Sequence, residues 1–179
     1  MILLGVDPGF AVMGFAAVEL HPDKHRDKLT CWVVRTEPSH RKRNVRASED
    51  NVRRTREIAK AVSKAIYEHE PLVLCVETMS WPRNAGSVAK IALAWGALCA
   101  VAERHGIAIV QASPQEVKKA VTGSKTASKA EVIQAIEARW PDVVWPEQAT
   151  LVEHAADAAA VVLATLDSDV VRLARRASA

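Results

Sequence analysis

Three acids and one histidine carry the first chemical signal in this 179-residue sequence. Asp7 ends the apolar run that begins at Ile2, Glu77 ends the apolar run that begins at Leu72, and Asp157 stands three positions after His154 among alanines. A carboxylate buried without a partner is costly, so Asp7 and Glu77 are expected to emerge at an edge of a sheet. Side by side, they would repel and hold protons more tightly until a cation sat between them. His154 and Asp157 would project from one helix face with Cβ atoms roughly 5–6 Å apart. Oxygen donors with at most one imidazole suit Mg²⁺ or Mn²⁺ rather than structural zinc. Two such ions about 4 Å apart serve phosphodiester hydrolysis. Asp7 is therefore expected to bridge, with Glu77 and Asp157 flanking and His154 completing the set. Glu153, four residues before Asp157, is the less favoured fourth member.

These positions need particular elements beneath them. Residues 2–7 and 11–19 read as a β-hairpin across a turn containing Gly9, and Leu29 to Arg35 as a third strand. Helical periodicity starts near Ser48, placed to cap, with Val52, Ile58, Ala59, Val62, Ala65 and Ile66 near one face, and stops before Pro71. Leu72 to Glu77 reads as a buried strand, Gly86 to Arg104 as a helix stopped at Gly106, and Ile107 to Ala112 as a fifth strand. Further helices are expected from Pro114, from Ser128 to Trp140 and from about Thr150. Three meandering strands followed by helix, strand, helix and strand predict a five-stranded mixed α/β sheet flanked by helices.

Composition fits one domain over 1–179, with a basic loop at about 36–50 and a short C-terminal tail at about 168–179. Apolar residues make up 49% of the chain, enough for a real core, and charged residues 25%. The opening residues carry no cationic leader and meet an acid at position seven, which predicts a cytoplasmic protein without a membrane span. Cys31, Cys75 and Cys99 are far apart in apolar segments and are expected to pack as reduced thiols. Between residues 41 and 56, Arg41, Lys42, Arg43, Arg46, Arg53, Arg54 and Arg56 face only Glu49 and Asp50. That imbalance predicts a polyanion-binding face.

Together these residues resemble the RuvC family of Holliday junction resolvases, of ribonuclease H-like fold. Gly5-Val6-Asp7-Pro8-Gly9 with Gly14 resembles the family's first-strand motif, Val76-Glu77 its second, and His154-Ala155-Ala156-Asp157-Ala158 its terminal helix. Glu116 to Gly123, followed by Ala127-Ser128-Lys129, resembles its lysine-bearing segment. The resemblance spans about Leu3 to Thr165. It implies a homodimer that places two sites across a four-way junction and makes paired metal-dependent nicks leaving 5′-phosphate and 3′-hydroxyl ends. It implies catalytic roles for Lys118 and Lys129 near the scissile phosphate, and it admits a branch-migration motor as partner.

Three features depart from the family pattern. His154 stands where many members carry Asp. The aromatic wedge position aligns with Ser80, leaving Trp81 to stack on a base, with Arg83 and Asn84 beside it. The loop holding Arg41, Lys42, Arg43 and Arg46 is long and reads as an added phosphate clamp; Lys119 and Lys125 complete the expected DNA-facing set. Forks, flaps or loops are alternative substrates, and an inactive DNA-binding relative is the alternative of another class. An actin-like ATPase would need a second domain that 179 residues do not supply.

Overall fold

The computed structural model describes residues 1–23, 26–39, 45–79, 81 and 83–177. Strands β1 (Ile2–Asp7), β2 (Val12–Glu19) and β3 (Lys28–Arg35) form the meander, and β4 (Val73–Glu77) and β5 (Ala108–Ala112) complete a sheet of order β3-β2-β1-β4-β5. β1 pairs antiparallel with β2, with Asp7 opposite Gly14, and parallel with β4, with Val6 beside Val76. The carboxyl ends of β1 and β4 therefore meet at one edge, together with that of β3.

Alternation along the strands divides the core in two. Leu4, Val6, Leu74 and Val76 point toward helices α1 (Ala47–His69) and α2 (Ala85–His105). Leu3, Val73 and Cys75 point the other way, toward α3 (Pro114–Thr122), α4 (Lys129–Arg139), α5 (Ala149–Thr165) and α6 (Asp169–Ala177). Asp7 shares the parity of Leu3, and Glu77 that of Cys75. Both acids thus lie on the α5 face, and this follows from the two-residue period alone.

Several local expectations are corrected. Helix α1 begins at Ala47 rather than after Ser48, because the Glu49 carboxylate reaches back to accept the Arg46 backbone N–H. Val52 is 59% exposed, off the buried stripe of Ile58, Val62, Ala65 and Ile66. The segment read as a C-terminal tail forms α6, whose Val171 is fully buried against the α5 side of the core. Of the cysteines only Cys75 and Cys31 pack inward, where burial pushes both thiols up to about 12; Cys99 is exposed on α2. By length and composition α2 would pass for a membrane span, yet Ala94, Trp95, Leu98, Val101 and Ala102 bury its inner face in the core.

Candidate active site

Two glycines let α5 lie directly on the sheet. A Cβ at Gly14 would stand 2.0 Å from the His154 carbonyl oxygen, and one at Gly5 would stand 1.9 Å from that of Ala158. Any larger residue would push the helix away. With the alanines 155, 156, 158, 159 and 160 buried beneath and around it, the helix brings His154 and Asp157 over the end of β1. Small residues on both partners are thus what position the site.

His154 Nδ1 donates to Asp7 Oδ2 at 2.6 Å, and both side chains keep partial access to solvent. This bond, ahead of the opposing effect of burial, raises the affinity of His154 for its proton. Burial, then the neighbouring charges of Asp157 and Asp7, pushes the Glu77 carboxyl up to about 7; Lys118 and Lys129 draw it partly back. Burial followed by Asp7 likewise raises Asp157 to about 6. Neither Glu77 nor Asp157 has a hydrogen bond or ion pair to another described residue. The four side chains therefore share one region, with Glu77 and Asp157 held without a direct ion-pair partner among the described residues.

The chemistry of this donor set fits a hard divalent cation: three carboxylates and one imidazole, half-buried, with two carboxyls poised to exchange protons for metal. The chelate is not closed. Among the described residues no three such side chains converge to liganding distance, and the Asp7 carboxylate is bonded to the His154 imidazole.

The remaining expected residues separate into groups. Glu153 pairs with Lys129 across from α4, which lowers the carboxyl's proton affinity and raises that of the lysine. Glu153 is thus engaged by a lysine, whereas His154 bonds to Asp7. Lys118 lies close enough to Glu77 for its charge to act there, whereas Lys125 acts on Glu116 at the start of α3. Lys119, next to Lys118 in the last turn of α3, is exposed. Trp81 is 73% exposed, which excludes a buried structural role. Arg83 and Arg46 are exposed.

Asn84 caps α2, its side chain accepting from the backbone N–H groups of Gly86 and Ser87. The basic stretch is not one solvated patch. Arg53 is tied to Asp50 and Glu57, and Arg54 is buried, at 5% exposure. Arg41, Lys42, Arg43 and Ser80 lie outside the described residues. Sequence reasoning missed the roles of Arg54 and Asn84; the Asn-x-Gly-Ser start of α2 was a signal for the cap.

Comparison with known proteins places this geometry. Residues 3–165 match the profile of the family described as crossover junction endodeoxyribonuclease RuvC. A protein of that description from Synechococcus sp. (strain CC9311) is 31% identical over 141 residues, 76% of this chain and 82% of its own length. One from Prochlorococcus marinus is 30% identical over 166 residues, 93% of this chain and 98% of its own. The structure of Thermus thermophilus RuvC in complex with Holliday junction substrate is 25% identical, covers 92% of each chain and superposes with a TM-score of 0.75.

Proposed function

The chain belongs to the RuvC family of crossover junction endodeoxyribonucleases, and from that premise we propose that it resolves four-way DNA junctions as a homodimer through a site made of Asp7, Glu77, His154 and Asp157. The observation that carries the reading is that these four side chains lie within electrostatic reach of one another where β1 and β4 end beneath α5. Each nick hydrolyses a phosphodiester, leaving 5′-phosphate and 3′-hydroxyl ends.

Divalent-metal dependence comes with the family. We assign Mg²⁺ or Mn²⁺, a pair per site, which Asp7, Glu77, Asp157 and His154 would hold. When bound, such a pair activates a water and neutralises the leaving oxygen. The protein's own part is to fix the donors: β1 and β4 hold Asp7 and Glu77, and the glycine-seated helix holds His154 and Asp157. Lys118 places positive charge beside Glu77, where it would stabilise charge gathering on the phosphate oxygens. Lys129 is kept near the same site by Glu153.

Trp81 offers an exposed aromatic face for an unpaired base, and Arg83, Arg46, Lys119 and Lys125 offer charge to the backbone. Dimerisation is supported by the outer face of α2, where Ala92, Leu93, Gly96, Cys99 and Ala100 form an exposed apolar stripe of mostly small residues. Such a stripe suits close helix packing.

Cleavage of a four-way junction, a fork and a flap by the wild type and Asp7→Asn tests the reading. Symmetric nicks in the junction, absent from the variant, are expected with Mg²⁺ or Mn²⁺. Preference for fork or flap would move the substrate, and junction binding without any metal-dependent nick would make the chain a binding protein.

A further inference from the structure

Arg54 is a buried cation without an acid. Its Nε donates to Thr36 Oγ1 at 2.9 Å, and one terminal nitrogen, Nη2, donates to the carbonyl oxygens of Thr36 and Phe10 at 3.1 and 3.5 Å. The guanidinium carbon lies 4.4 Å from the centre of the Phe10 ring. These contacts are neutral, and the carboxylate that feels its charge, Asp50, is ion-paired to Arg53. Burying a guanidinium this way is expensive unless an anion joins it.

The other terminal nitrogen, Nη1, donates to no described residue, nor is it sealed from solvent. Arg54 lines a cavity of about 730 Å³ walled also by Phe10, Thr36, Ser87, Arg35 and Lys90. Ser87 lies in the first turn of α2, and Arg35 and Lys90 are exposed at the wall. Glu37 shares the lining but stands 4.0 Å from Arg35, so three cations face one carboxylate.

The position is as informative as the charge. Thr36 follows β3, whose carboxyl end lies at the same sheet edge as Asp7, two strands away. At one strand spacing of ~4.8 Å, the two sites are separated by roughly 10 Å along that edge. The cavity opens on the α1 and α2 face, and the acids on the α5 face.

We propose that this cavity is a second phosphate seat, which holds one non-scissile backbone phosphate of the bound DNA on Arg54 Nη1, with Arg35 and Lys90 at its mouth. A forked guanidinium fixed by three bonds loses little freedom on taking a phosphate oxygen, which makes the seat a register device as well as a source of affinity. That the phosphate belongs to DNA rests on the junction-nuclease reading above.

The test is a walk of neutral methylphosphonates along the strands of a four-way junction, with binding measured in a chelator. The proteins compared are wild type, Arg54→Lys and Lys90→Gln, the last being an exposed position that keeps the test valid if Arg54→Lys misfolds. For the wild type, one position away from the cut should weaken binding about tenfold. Arg54→Lys, which keeps the charge but loses the fork, should bind the all-phosphate junction less tightly with little change in salt slope; Lys90→Gln should lower the slope by about one; and both should lose less than the wild type at that position. If every non-scissile substitution costs wild type and variants alike, the seat is wrong while the nuclease reading stands. If millimolar inorganic phosphate raises the wild-type melting temperature through Arg54 but no methylphosphonate matters, the pocket serves free phosphate and the DNA assignment is overturned. If the wild type binds no junction, the functional reading fails and this one with it.

Discussion

Gly14→Ala should disable the site without touching a functional side chain. The new Cβ would stand 2.0 Å from the His154 carbonyl oxygen and 2.5 Å from its carbon, and neither atom belongs to a flexible side chain. Since real contacts of this kind essentially never fall below 3.0 Å, α5 must retreat by at least about 1 Å. A His154 to Asp7 separation of 2.6 Å would then open to about 3.6 Å, past the limit of a hydrogen bond. Misplacement of a catalytic group by ~1 Å costs about 10²-fold, so single-turnover junction cleavage at saturating protein should fall by that order. Overpacking should cost about 1–3 kcal/mol of stability by thermal melt, leaving the protein folded. Junction affinity in a chelator should hold within a few-fold. Cleavage within threefold of wild type would refute the claim that helix seating on Gly14 sets the geometry.

Three further outcomes follow from the same site. His154→Asn should lose far more cleavage than Glu153→Gln, measured in single turnover; equal or reversed losses would move the fourth ligand to Glu153. Glu77 and Asp157 have folded-state values of about 7 and about 6, above their ordinary 4.5 and 3.8. The folded metal-free protein therefore holds more protons than the unfolded chain, so its stability should fall as pH rises through roughly 4 to 7, and Mg²⁺ should restore it at pH 8; melts that are flat with pH, or unmoved by Mg²⁺, contradict this. Trp81→Ala should weaken junction binding by about ten- to a hundredfold while Trp81→Phe keeps most of it, and an equal loss in both would exclude base stacking.

Much of this site was legible because its signals are periodic. Asp7 and Glu77 end apolar runs, and the two-residue alternation assigns both to one face once the strands are parallel neighbours. The glycine at position 14 was visible as part of a motif, but its reason was not, since a Cβ clash with a helix near the other end of the chain is a tertiary fact. The same holds for Glu153. Its place on α5 left it able to reach the acids, and only the packing of α4 against α5 gave it Lys129 instead. Arg54 counted as one more surface cation in a basic run, because charge counting along a helix does not say which turn faces the core. Asn84 was read as a DNA contact because a polar residue before a helix serves equally as a cap.

A histidine rather than a carboxylate beside Asp7 has an electrostatic logic. Three carboxylates already gather where β1 and β4 end beneath α5, and burial with mutual repulsion has raised two of them. A fourth carboxylate would add repulsion to Asp7 and Asp157, both of which now act on His154 as attraction. The imidazole instead bonds to Asp7 and lowers the proton affinity of Asp157. When protonated, His154 is a counter-ion to Asp7 and Asp157, alongside Lys129. The repulsion of an added carboxylate is largest where Glu77 and Asp157, at about 7 and about 6, have lost their protons. His154→Asp should therefore destabilise the metal-free fold more at pH 8 than at pH 5, and Mg²⁺ should recover more stability in the variant than in the wild type. Thermal melts at the two pH values with and without Mg²⁺ read this directly, and an equal recovery in both proteins would show that the imidazole has no such role.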